Sequence, residues 1–139
     1  MENKIEQGWI EVTPGWDSDL EIIDIGERHF RRKKAFITGI AGQDGSYLAE
    51  YLLELGYEVH GIVRRNSTPE NQDVRLTNIQ DRISNYYGDL LDQGGLERLL
   101  DQIQPDEIYN IAAQSHVRIS FDIPQFTVQT NALGVLNIL

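Results

Sequence analysis

From Lys33 onward the chain alternates short apolar runs with stretches of helical period. Ala35-Phe36-Ile37-Thr38 is an apolar run that stops at a glycine-rich turn. A helix is predicted from about Asp44 to Leu55, because Leu48, Leu52 and Leu55 share one face and Gly56 stands where helices commonly stop. Glu58 to Val63 reads as a second strand. Residues 68–82 are polar, with Pro69 as a breaker and a short helix near Val74 to Ile79. Ile83 to Tyr87 is a third strand, and Asp92 caps a helix that runs to about Ile103, ahead of Pro105. Glu107 to Ala113 is a fourth strand, and a last helix begins near Pro124 and is still running at Leu139. Strands that alternate with helical segments of about 10–15 residues imply βαβ units, a parallel sheet and right-handed crossovers.

The first 32 residues follow another pattern. Trp9 to Val12 and Leu20 to Ile25 are strand-like, with Pro14-Gly15 as a turn signal, so a hairpin is expected there. The run Arg31-Arg32-Lys33-Lys34 then reads as a solvated junction. Residues 1–32 are expected to be an N-terminal extension of unknown role, and residues 33–139 one half of a doubly wound α/β fold.

Charge and composition narrow the function. The formal net charge is −10, which repels nucleic acid and anionic lipid and argues against both as partners. There is no cysteine, so disulfide frameworks, thiolate zinc sites and cysteine nucleophiles are excluded. No apolar run approaches the roughly 18 residues of a membrane span, and the acidic, polar start Met1-Glu2-Asn3-Lys4-Ile5-Glu6 does not read as a secretory signal. A cytoplasmic location is expected. No metal-ligand cluster stands out.

The glycine-rich turn carries the chemistry. Gly39-Ile40-Ala41-Gly42-Gln43-Asp44-Gly45 joins the first strand to the first helix with spacing G-x-x-G-x-x-G. The first glycine serves a tight turn, the second admits a pyrophosphate close to the backbone, and the third lets the helix pack on the strand. The helix N-terminus adds unpaired N–H groups and a positive dipole end. The second strand ends in Arg64-Arg65-Asn66-Ser67, where NAD sites usually carry an acidic residue for the ribose 2′-hydroxyl. An arginine there grips a 2′-phosphate, so NADP is favoured over NAD. Asp89-Leu90 follows the third strand, where Asp89 is placed to accept from an adenine amino group or to form a turn. Ile111-Ala112-Ala113-Gln114-Ser115 follows the fourth strand, where small residues admit a ribose against backbone. Ser115 and His116 face the substrate side, with His116 more simply a structural histidine, and His60 reads as a packed or surface histidine.

These residues resemble the GDP-mannose 4,6-dehydratases, a family of extended short-chain dehydrogenase/reductases. The resemblance rests on Ile37 to Glu50, on Gly56 to Arg65, on Tyr87-Gly88-Asp89-Leu90, on Ala113 to Val117, on Ser120-Phe121 and on Asn131 to Gly134. It covers about Lys33 to Leu139. It implies a Rossmann-like doubly wound parallel sheet, truncated after about four strands, and an NADP-dependent lyase that turns GDP-mannose into GDP-4-keto-6-deoxymannose. By position, Gly39 to Asp44 would hold the pyrophosphate, Arg64 to Ser67 the 2′-phosphate, Asp89-Leu90 the adenine, and Ile111 to Ser115 the ribose and nicotinamide. Phe126 stands where the family usually places a cofactor-contacting tyrosine. The family also implies a homo-oligomer, dimer or tetramer.

The family's chemistry needs a Thr or Ser, a Glu base and a Tyr-x-x-x-Lys pair, and the chain contains no Tyr-x-x-x-Lys. No catalytic residue is therefore assigned. The chain is expected to be an N-terminal fragment that binds cofactor but is inactive alone. Ending after strand four, it is expected to leave a bare apolar edge, which invites aggregation. The alternatives are another nucleotide-sugar reductase or epimerase, or a non-catalytic NADP-binding module.

Overall fold

The computed structural model describes residues 7–13, 21–64 and 74–139. The expected turn at Pro14-Gly15, the strand start at Leu20 and the breaker Pro69 lie outside them. Two sheets form. Strands β1 (Trp9–Val12), β2 (Ile22–Ile25) and β3 (Arg28–Arg32) make an antiparallel sheet in the order β1-β3-β2. Strands β4 (Lys34–Thr38), β5 (Glu58–Val63), β6 (Ile83–Tyr87) and β7 (Glu107–Asn110) make a parallel sheet in the order β6-β5-β4-β7.

The parallel sheet is the expected doubly wound one. Successive residues of a strand face opposite sides, and both sides of β4 are buried. Ala35 and Ile37 join one core with Val59, Leu52 of helix α1 (Gln43–Glu54), Leu76 and Ile79. Phe36 joins the other with Ile62, Leu90, and Leu96 and Ile103 of helix α2 (Gln93–Ile103). Gly56, at φ 92, follows the end of α1, and the amides of Gly56 and Tyr57 return to Leu53 O and Leu52 O. The Asp92 carboxylate caps α2 by accepting from the Gly95 amide at 3.1 Å.

Several expectations are corrected. The two N-terminal strands do not pair with each other. Both flank β3, with Ile10 opposite Arg31 and Ile22 opposite Arg31 in the two ladders. The basic run is likewise no solvated junction. Arg31 and Arg32 end β3, and the Arg31 guanidinium donates twice to the Asp106 carboxylate, at 2.7 Å each. Lys33 Nζ pairs with Glu107 at 3.3 Å. The short helix near residue 74 is a pair of 3₁₀ turns, Val74–Leu76 and Gln80–Arg82.

The fourth strand stops at Asn110, three residues early. There the Thr38 hydroxyl donates to Asn110 Oδ1 and accepts the amides of Ile111 and Ala112, both at 3.2 Å, which draws the chain off the ladder. An unexpected helix, α3 (Val117–Asp122), precedes the last one. The last helix begins at Pro124 as expected, with α4 (Pro124–Val128), and continues as a π-helical segment Gln129–Leu133 and the short α5 (Gly134–Leu136), but it stops at Leu136 rather than running to Leu139. β7 is an edge of the parallel sheet, and its Ile108 is 42% exposed.

Candidate functional site

A cleft of about 780 Å³ opens over the carboxyl ends of the parallel strands, the place where doubly wound sheets take their ligands. Its floor is the glycine turn. Gly39 adopts φ +72, and a Cβ there would sit 3.0 Å from the Ala112 backbone, so the turn and the β7 loop touch without room for a side chain. A Cβ on Gly45 would lie 2.2 Å from Gly39 O, which forces the first turn of α1 hard against the loop. Gly42 is the cap residue of α1 and supplies no side-chain acceptor, which leaves the first-turn amides of the helix for a ligand.

The structure brings together most of the sequence-predicted residues. Gly39, Ala41, Gly42, Arg64, Asp89, Leu90, Ile111, Ala112, Ala113, Gln114, Ser115 and Phe126 all line this cleft. Ile40 does not; it is fully buried in the core. Gln43, Asp44 and Gly45 form the first turn of α1 beneath the cleft rather than its lining. Arg65, Asn66 and Ser67 lie outside the described residues.

The loops that carry these residues are tied down. Gln114 and Asn131 exchange hydrogen bonds, Gln114 N to Asn131 Oδ1 at 2.8 Å and Asn131 Nδ2 to Gln114 O at 3.0 Å. Asn137 Nδ2 donates to Leu90 O at 2.7 Å. The Asp89 carboxylate accepts the Leu91 amide at 2.9 Å, so part of its hydrogen-bonding capacity shapes its own turn. His116 caps α3, its Nδ1 accepting from the Ile119 amide at 3.4 Å. His60 is buried, with Nε2 2.8 Å from Glu58 and Nδ1 3.3 Å from the Tyr86 hydroxyl.

Sequence reasoning missed Arg75, Ile119, Ile123 and Thr130, which also line the cleft. Arg75 is a second cation in the cleft that holds Arg64. Its signal was faint, a lone basic residue after a polar stretch.

The strongest electrostatics lie at the opposite end of the sheet. Arg31 beside Asp106 holds that carboxyl below its usual range, against the opposing effect of burial. Burial pushes Glu107 up, but hydrogen bonds from Tyr109, Tyr57 and Lys33 outweigh it and bring it below its usual range. Tyr109 donates to Glu107 at 2.6 Å, and that bond, with burial, pushes its hydroxyl up to about 12. This end carries charge pairing and structure, while the cleft end carries the first-turn amides of α1 and the side chains of Arg64 and Arg75.

The sheet order, the glycine turn and the cleft above the strand ends define a Rossmann-type α/β protein. Among solved structures it resembles UDP-glucose 4-epimerase from Thermus thermophilus in complex with NAD, at TM-score 0.65 and 30% identity, covering 76% of this chain and 32% of that one. UDP-glucose 4-epimerase from Thermotoga maritima with UDP-glucose is similar at TM-score 0.65 and 28% identity, with the same coverage. A family model described as GDP-mannose 4,6 dehydratase matches residues 36–139, and the chain belongs to that family. It is 50% identical to the GDP-mannose 4,6-dehydratase of Vibrio cholerae over 113 residues, 78% of this chain and 30% of that protein. It is 51% identical to GDP-mannose 4,6 dehydratase 1 of Arabidopsis thaliana over 114 residues, 78% and 32%. The human GDP-mannose 4,6 dehydratase is 47% identical over 120 residues, 82% and 32%. The chain thus spans about a third of the length of these curated relatives. Among the described residues no helix is long and apolar enough to cross a membrane.

Proposed function

We propose that residues 33–139 are the NADP-binding unit of a GDP-mannose 4,6-dehydratase that works on GDP-mannose in the cytoplasm as a homo-oligomer. The observation that carries the reading is the joint presence of Arg64 and Arg75 in the cleft built on the Gly39 turn. The residues fit a dinucleotide phosphate. The uncapped first turn of α1 offers amides to the pyrophosphate, and the bare contact between Gly39 and Ala112 keeps side chains out of its path. Arg64 and Arg75 offer cations to a 2′-phosphate, where a carboxylate would be repelled. Asp89 and Leu90 border the adenine side, and Ile111 to Ser115 the ribose and nicotinamide side. Bound there, NADP supplies the reversible two-electron oxidation that a 4,6-dehydration of the sugar requires.

This chain's own residues bind and orient. Thr38 fixes the loop after β7, the Gln114–Asn131 pair holds it open, and the apolar Ile119, Ile123 and Phe126 face the same cleft. No proton-transfer residue for the sugar is assigned to this chain. The solved relatives named above carry NAD and UDP-glucose in their own sites, which supports a nicotinamide cofactor beside a nucleotide sugar.

Calorimetric titration of the chain with NADP and with NAD tests the reading. Binding of NADP tighter than NAD is the expected result. Absence of binding to either, or tighter binding of NAD, overturns it.

A further inference from the structure

Thr130 is the one buried side-chain polar atom among the described residues that lacks a hydrogen-bond partner. It is 9% exposed and lines the cleft. It sits on the π-helical segment Gln129–Leu133, a conformation that inserts an extra residue into a helical turn and concentrates at functional sites. The segment is clamped on both sides. Asn131 is bound to the Gln114 loop, and a Cβ on Gly134 would lie 2.9 Å from Leu90 Cβ, while Asn137 holds Leu90 O. These ties place the backbone at Thr130 between the loop after β6 and the loop after β7. A buried hydroxyl with no protein partner is costly, and a bound ligand that supplies the partner relieves that cost.

We infer that the Thr130 hydroxyl is a cofactor-binding group, donating to an oxygen of the ribose–phosphate backbone that NADP and NAD have in common. This rests on the reading of the cleft as a dinucleotide site. The π segment carries the hydroxyl, and the Asn131 and Gly134 contacts hold its backbone in place. The contact stabilises the bound state and leaves the choice between NADP and NAD to the arginines.

Thr130→Val keeps the shape and removes the hydroxyl, and Thr130→Ser keeps the hydroxyl. Titration of the full chain is expected to show NADP binding weakened about tenfold by Thr130→Val and largely restored by Thr130→Ser. NAD binding weakens by the same factor. In the absence of ligand, Thr130→Val melts at or above the parent temperature, because it replaces an unpaired buried hydroxyl with a methyl group. Equal NADP affinity of parent and Thr130→Val overturns this inference alone, as does a loss confined to NADP. A lower melting temperature of ligand-free Thr130→Val also overturns it, since the hydroxyl would then be paired within the protein. A parent chain that binds neither cofactor overturns the dinucleotide reading itself and this inference with it.

Discussion

Replacing Arg31 with alanine removes the firmest tie between the antiparallel sheet and the parallel one. The guanidinium makes two charge-assisted bonds of 2.7 Å to Asp106, and both side chains are only 18% exposed. A fully exposed pair would be worth about 0.2–1 kcal/mol, and breaking a fully buried one costs about 3–5 kcal/mol. The partial burial and the bidentate geometry place this pair between them, at about 2 kcal/mol. Asp106 keeps the Lys34 amide at 2.8 Å, so it is not orphaned when Arg31 goes. For a chain of 139 residues the loss corresponds to a fall in Tm of about 7 °C. Arg31→Lys, which keeps the charge but not the fork, falls between.

The pH dependence follows from the carboxyl. The folded pKa of Asp106 is depressed, so its stabilisation is fully present above the unfolded value near about 3.9 and is lost as pH falls through the lower folded value. Urea unfolding of parent and Arg31→Ala at pH 7 and at pH 3 measures both effects. The difference is large at pH 7 and shrinks in acid. Equal midpoints at pH 7, or a gap that widens in acid, would refute the reasoning.

Three further outcomes are expected. Thr38→Val removes the hydroxyl that serves Asn110, Ile111 and Ala112; stability should fall by about 2–3 kcal/mol in urea titrations, and NADP affinity should fall with it. Gly45→Ala drives a Cβ to 2.2 Å from Gly39 O, so α1 must back away from the turn; calorimetry should show NADP binding lost, and melting a clear destabilisation. Tyr109→Phe removes a group whose folded pKa is raised to about 12. That group's stabilisation holds below its unfolded value near about 10 and is lost as pH rises through 12, so the alkaline decline of parent stability should flatten in the variant.

The parallel sheet was legible because each of its elements carries local punctuation. Gly56 stops α1, Asp92 starts α2, Pro105 bounds it, and the apolar runs of β4 and β5 match strands buried on both faces. β3 was not legible. Its sequence Arg28-His29-Phe30-Arg31-Arg32 is mostly basic, and it becomes a strand because β2 folds back onto it through the tight turn at Gly26, φ 66, while β1, Glu11 and Asp106 receive it from positions distant in the chain. α3 was hidden because its cap is an imidazole, a residue type without a capping signature. In the cleft, the residues next to glycine or small-residue loops were readable from spacing alone. Arg75, Ile119, Ile123 and Thr130 reach it only through tertiary packing of the 3₁₀ turn and the last helices. Ile40 was misplaced for the converse reason, since its position in the motif says nothing of its side chain, which the core claims.

The central claim is that the cleft over the Gly39 turn receives NADP. The most direct measurement is the amide spectrum of the ¹⁵N-labelled chain recorded with and without NADP. Shifts concentrated at Gly39 to Gly45, at Arg64, at Ile111 to Ser115 and around Thr130, with β1, β2 and β3 unmoved, are the expected result. Shifts confined to the Arg31–Asp106 end of the sheet, or an unchanged spectrum at saturating NADP, would contradict the account.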